Sequence, residues 1–163
     1  MDTGVSFKDG IFGLDIDTHN IGWAIVRGYH HNTGHGNLRR DPFDKFLLTY
    51  SHWLRDLIQE HAPAVIAVEA PFVGHVSAAA NLYQIHGVTK LVLASYRGAY
   101  TYINNKTWKA DICGDGNIPR ADKMKGKIVR ICKRMGFDVD QIDEADALCL
   151  ALHMRKKLTN RLV

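Results

Sequence analysis

The sequence predicts an α/β fold: a mixed sheet that starts antiparallel, continues parallel and is flanked by helices. Three observations predict it. Residues 11–17 and 22–28 form two short apolar runs joined by a polar turn, the pattern of a β-hairpin. Residues 64–69, Ala64-Val65-Ile66-Ala67-Val68-Glu69, are small and β-branched and apolar on both faces, as in an interior strand of a parallel pair. Between and after these strands lie stretches of helical period over 43–61 and 76–96. Strands alternating with helices make a layered α/β domain.

The 163 residues suffice for one domain with a real core and are too few for two of ordinary size, so 1–163 is read as one domain. A hydrophobic fraction of 46% excludes a disordered tail. No apolar run approaches a membrane span, and Met1 to Lys8 lacks the basic region and apolar core of a secretory signal. Cys113, Cys132 and Cys149 are far apart and odd in number, with neither zinc spacing nor a disulfide framework. They fit small core positions in a reducing cytosol. The net charge of +4 points weakly to a polyanionic partner.

In chain order, the hairpin comes first, with Asp15 near the end of its first strand. Tyr29 to Pro42 is polar, glycine-bearing and His-rich, which predicts a loop with at most a short edge strand near Leu38-Arg39-Arg40. His30, His31 and His35 have no Cys or acid at matching metal spacing. Phe43 to His61 places Phe46, Leu47, Tyr50, Trp53, Leu54, Leu57 and Ile58 on one side of a helix that Pro63 ends. The strand ending at Glu69 stops at Ala70-Pro71-Phe72. Val76 to about Tyr96 is a helix apolar nearly all round, which needs two burying surfaces. One is the sheet; the other is either a second copy of the helix across a two-fold axis or more of the same chain. Ala99 to Ile103 predicts a last strand, and Thr107 to Ile118 is mixed and ends in a glycine-rich turn. Ala121 to Met135 predicts a basic helix carrying Lys123, Lys125, Lys127, Arg130, Lys133 and Arg134. A final helix from about Asp143 to Lys157 ends in Arg155-Lys156-Lys157, which suits a helix C-terminus.

The chemistry sits in acids at awkward places. Asp15 and Glu69 end two apolar strands, and Asp143 and Asp146 open the last helix about one turn apart on one face. Taken singly, each acid has an ordinary reading: a turn cap, a partner of a lysine, a helix cap. Clustered at low dielectric, four carboxylates repel strongly, and divalent metal resolves the repulsion. Hard oxygen ligands suit Mg²⁺ or Mn²⁺ rather than zinc. Two such ions can activate a water and stabilise the leaving 3′ oxygen of a phosphodiester.

At these residues the chain resembles RuvC, the Holliday-junction resolvase family of the RNase H-like superfamily. Gly13-Leu14-Asp15 followed by Ile21-Gly22-Trp23-Ala24 is similar to the family's first motif, and to the RuvC segment of Cas9. Ala67-Val68-Glu69-Ala70-Pro71-Phe72 resembles the second motif, residues 78–94 the dimer-forming helix, and Asp143-Glu144-Ala145-Asp146-Ala147-Leu148 the last motif. The resemblance implies a homodimer, joined through helix 76–96, that nicks two opposing strands of a four-way junction. Asp15, Glu69, Asp143 and Asp146 would hold two Mg²⁺ ions, with Mn²⁺ as a substitute. Phe72 would be an apolar wedge at the junction centre, or else a core residue. Lys109 and Lys123 match basic positions near the scissile phosphate, or else are surface lysines. Lys125, Lys127 and Arg130 would contact the DNA backbone, as would Arg155, Lys156, Lys157 and Arg161 at the C-terminal end. A helicase partner stays open. With four of its 17 acids so committed, the 21 basic side chains outnumber the remaining acids by eight, which suits phosphate binding.

The chain departs from bacterial members at Ile16-Asp17, where those usually carry Pro-Gly. Asp17 either adds an outer carboxylate or caps its turn. The short segment between Val26 and Phe43 predicts a stunted or missing third strand, closer to phage-encoded resolvases. The same acids would also serve a flap or fork endonuclease, an RNase H, or a catalytically idle binder of branched DNA. Asp15-x-x-Thr18 also resembles the phosphate hairpin of actin-like ATPases. Those need glycine where this chain has Asp17, and a second large domain.

Overall fold

The computed structural model describes residues 10–18, 20–38, 42–71, 76–114 and 121–160, with side chains for all of these except 76–78 and 121–125. Among the described residues, five strands form one sheet: β1 (Ile11–Ile16), β2 (Ile21–Arg27), β3 (His30–His35), β4 (Val65–Glu69) and β5 (Ala99–Ile103). Their order is β3-β2-β1-β4-β5. β1 pairs antiparallel with β2, which pairs antiparallel with β3, while β4 runs parallel to both β1 and β5. The helices are α1 (Phe43–His61), α2 (Val76–Ser95), α3 (Asn105–Cys113), α4 (Ala121–Arg134) and α5 (Ile142–Thr159). The mixed sheet flanked by helices is the architecture that the sequence predicts.

The period of two along β1 sorts the helices into layers. Phe12, Leu14 and Ile16 pack with Ile21, Ile25, Ile66 and Val68 against α1 and α2. Ile11 and its neighbours Ala24, Val26 and Ala67 pack on the other face, under α5, α4 and Trp108 of α3. Helix α5 is buried along Ala145 to His153 apart from Asp146, because it lies on the sheet and is itself covered by α3 and α4. Between α1 and α2, the Tyr50 hydroxyl lies 2.7 Å from Thr89 Oγ1, which satisfies both buried groups.

Two expectations change. A third strand is present at 30–35, while Arg39 and Arg40 of the edge strand expected near 38–40 lie outside the described residues. It follows a tight turn at Gly28-Tyr29, where Gly28 has φ 57, and pairs with β2 along its length. It is a polar edge strand, so it lacks the apolar alternation that marks a buried one. The mixed stretch after residue 104 contains a helix, α3. The Asn104 side chain caps it by accepting from the Lys106 N–H, and Gly114 at φ 74 ends it.

Among the described residues, helix α2 buries one face. Leu82, Ile85, Val92 and Leu93 are buried, whereas Tyr83 is 55% and Leu91 68% exposed. More of the same chain is therefore not its second burying surface among the described residues. Cys132 and Cys149 are core residues, their sulfurs 3.6 Å apart. Among the described residues no helix is long and apolar enough to cross a membrane.

Candidate active site

The sheet register brings two of the four acids together. Gly13 pairs with Ala67 and Leu14 with Val68, so Asp15 and Glu69 are the next residues at the C-terminal ends of adjacent parallel strands. Two residues on from Gly13 and Ala67, both point to the α5 face of the sheet. Glu69 is itself fixed by pairing with Ile103, and the Ala70 N–H donates to the Ile103 carbonyl at 2.8 Å.

Two glycines let α5 close over that point. A Cβ on Gly13 would stand 1.9 Å from the Ala147 carbonyl oxygen, and one on Gly22 2.0 Å from the Asp143 carbonyl oxygen. Only hydrogen fits at either place. The first two turns of α5 therefore sit directly on β1 and β2, which brings Asp143 and Asp146 within electrostatic reach of Asp15. Glu144, between them, fastens the same turns to the sheet edge. It accepts from Thr33 Oγ1 at 2.9 Å and lies 2.9 Å from His35 Nδ1.

The electrostatics follow. Burial, then Glu69, Asp146 and Asp143 in turn, holds the Asp15 carboxyl well above the usual carboxylate range, with Lys109 opposing. Burial also raises Glu69 and Asp17 adds to this, while Lys109 and hydrogen bonds from Trp108 and Asn105 pull it down. Lys109 is buried rather than a surface lysine; its Nζ is 3.9 Å from Asp146 Oδ2 and 4.8 Å from the centroid of the Trp108 ring.

The structure thus brings together Asp15, Glu69, Asp143, Asp146 and Lys109. It leaves the other expected site residues more dispersed. Lys127 is half-buried and close enough to lower the Cys113 thiol, against the larger effect of burial. Arg130 is exposed on α4. Phe72 lies outside the described residues, as does Arg161, and the side chains of Lys123 and Lys125 are likewise not described. Asp17 caps its own turn, its Oδ1 accepting from the Thr18 backbone N–H and, at 3.1 Å, from Thr18 Oγ1. His35 is taken by Glu144, and His31 packs edge-on against Phe137.

The donor set is all oxygen, concentrated and partly buried, which suits a hard divalent cation. Among the described residues, no three His, Cys, Asp or Glu side chains are already gathered as a ready cage for one ion. Glu69, Asp146 and Asp143 each repel the Asp15 carboxylate, and that repulsion is what a cation would relieve.

Sequence reasoning missed α3 and what it contributes. Asn105 Nδ2 donates to Glu69 Oε1 at 2.8 Å and Trp108 Nε1 to Glu69 Oε2 at 3.0 Å. The available signal was Asn104 as a cap, Trp108 and Ile112 four apart, and Gly114 as a stop.

Comparisons with known proteins agree with this fold. The fold is similar to that of Thermus thermophilus RuvC, with a TM-score of 0.69 and 15% identity over 93% of this chain and 96% of that one. A structure of T. thermophilus RuvC in complex with Holliday junction substrate matches with a TM-score of 0.70 and 13% identity, covering 93% and 95% of the two chains. The yeast mitochondrial Holliday junction resolvase Ydc2 matches at 0.66 and 12% identity, covering 94% and 83%. No curated protein sequence matches. The family model for the crossover junction endodeoxyribonuclease RuvC matches residues 11–154, a span that holds all four acids, and the chain therefore belongs to the RuvC family.

Proposed function

We propose that two copies of this chain resolve a four-way DNA junction by paired symmetric nicks, each copy hydrolysing one phosphodiester. The observation that carries this is the placement of Asp15 and Glu69 at adjacent strand ends beneath the first turns of α5, with Asp143 and Asp146 above them. These four side chains would hold two divalent cations. Bound there, Mg²⁺, with Mn²⁺ as a substitute, supplies the Lewis-acid chemistry of in-line displacement at phosphorus.

The remaining residues bind and orient. Lys109 brings a buried positive charge to the edge of the acid cluster, where it offsets repulsion and can meet a phosphate oxygen. The basic helix α4, with Lys123, Lys125, Lys127 and Arg130, contacts the junction backbone, and affinity falls steeply with salt. Junction choice rests on shape and deformability more than on base edges. Phe72, three residues beyond Glu69, is the proposed wedge that unstacks bases at the junction centre. The exposed face of α2, with Tyr83 and Leu91, is the proposed surface on which the second copy packs.

The test is cleavage with Mg²⁺ of a mobile four-way junction, a fork, a 5′ flap, a linear duplex and an RNA–DNA hybrid, with every cut mapped. Paired symmetric cuts confined to the junction support the proposal. Equal cutting of flaps and forks replaces it with a general debranching nuclease, and no cutting of any substrate replaces it with an idle binder.

A further inference from the structure

Helix α3 touches both halves of the acid cluster and is anchored at both ends. It springs from β5 beside Glu69, since Ile103 pairs with Glu69 and the next residue, Asn104, caps the helix. Its first turn occupies both oxygens of the Glu69 carboxylate, through Asn105 and Trp108. Its middle places Lys109 against Asp146. Toward its end, Asp111 Oδ2 lies 2.7 Å from the buried His153 Nδ1 on α5, and Asp111 Oδ1 accepts from Lys156. His153 is seven residues beyond Asp146, so the two contacts with α5 are about two turns apart.

We propose that α3 is a positioning helix, in which Asn105 and Trp108 set the orientation of the Glu69 carboxylate and the Asp111–His153 pair fixes the seat of α3 on α5. The proposal rests on the functional reading above, in which Glu69 holds a cation. A terminal carboxylate torsion is broad and roughly two-fold. With one donor on each oxygen the group is held in one plane, and each oxygen keeps a further lone pair for a cation. Groups that orient a ligand in this way are worth about 10–100-fold in metal affinity or activity. Asn105, Trp108, Lys109 and Asp111 all lie on one nine-residue helix, so a shift of that helix would disturb Glu69 and Asp146 together.

The test compares Asn105→Ala, Trp108→Phe and Asp111→Asn with the wild type. Trp108→Phe keeps an aromatic ring in the core and removes the donor together with part of the indole's buried volume. If it fails to fold, Asn105→Ala at a half-buried position decides. Mn²⁺ binding is measured by electron paramagnetic resonance without DNA, alongside the Mg²⁺ dependence of single-turnover cleavage and metal-free junction binding. Asn105→Ala and Trp108→Phe should each weaken Mn²⁺ binding and raise the Mg²⁺ midpoint by about 10-fold. Asp111→Asn should shift both less, in the same direction, and metal-free junction binding should stay unchanged. Wild-type Mn²⁺ affinity in folded Asn105→Ala and Trp108→Phe, with Asp15→Asn losing it, overturns the positioning role and leaves the acid site standing. A wild-type protein that neither binds Mn²⁺ nor cuts overturns the functional reading itself, and the positioning role with it.

Discussion

Gly13 lies directly beneath Ala147: a methyl group on the glycine would stand 1.9 Å from the alanine's carbonyl oxygen. The contact is backbone against backbone, so no side-chain rotation relieves it. It sets the distance between β1 and α5, and thereby the distance between Asp15 on one and Asp143 and Asp146 on the other. Gly13→Ala should cost about 3 kcal/mol or more, the upper range for overpacking a core, and should abolish cleavage by lifting α5. Urea unfolding and junction cleavage check this. Wild-type stability in Gly13→Ala would mean that α5 does not seat on β1 in this way.

Asp15 should destabilise the metal-free protein. Its carboxyl is held well above the usual range by burial and by Glu69, Asp146 and Asp143, so the folded chain keeps this proton to a higher pH than the unfolded chain, where Asp titrates near 3.9. The folded state binds more protons over that interval, and stability falls as pH rises through it. Asp15→Asn should flatten this fall and raise the metal-free Tm at neutral pH, by roughly 2–4 °C for each kcal/mol relieved. Thermal melts in chelator at several pH values are the check, and a lower Tm for Asp15→Asn would contradict the repulsion.

His86 should act in the opposite direction. It is buried between α2 and β5, facing Lys90 on its own helix and the Tyr102 ring 5.8 Å away. Burial first and Lys90 second push its pKa down to about 4, whereas an unfolded His titrates near 6.5. Between these values only the unfolded chain takes up the proton, so this contribution to stability is lost as pH falls from about 6.5 toward 4. His86→Phe should show a shallower drop in urea midpoint between pH 7 and pH 5. An unchanged drop would place the acid sensitivity elsewhere.

Leu91, 68% exposed on α2, should be required for pairing of two copies. Leu91→Glu should leave the fold intact and give a monomer by sedimentation at micromolar concentration. It should also turn paired cuts into isolated nicks. A wild-type chain that sediments as a monomer, with or without junction DNA, would contradict paired nicking through this face.

What was legible in the sequence was what local pattern controls. The β1–β2 hairpin and β4 show their periods, and Asp15 and Glu69 stand out because an acid ends each apolar run. Asp143 and Asp146 share a face by spacing alone. Strand β3 was hidden because its residues, His-His-Asn-Thr-Gly-His, are polar and form an edge whose support comes from Glu144, far away in the chain. Helix α3 was hidden because nine residues of mixed polarity carry a weak period, and its cap and stop had to be read together. Lys109 looks like any surface lysine until α3 and α5 are packed. The need for glycine at 13 and 22 belongs to the α5 contact, which no local window contains. Helix α2 was legible as a helix, but only the fold shows which face stays exposed.

The central claim is that the carboxylates of Asp15, Glu69, Asp143 and Asp146 form one reactive centre. The most direct test is single-turnover cleavage of a mobile four-way junction by Asp146→Asn in Mg²⁺, with junction binding measured on the same preparation. Loss of cleavage with binding equal to or tighter than wild type is predicted, because a cation ligand and a repulsive charge are removed together. Normal Mg²⁺-dependent cutting by Asp146→Asn would contradict the account.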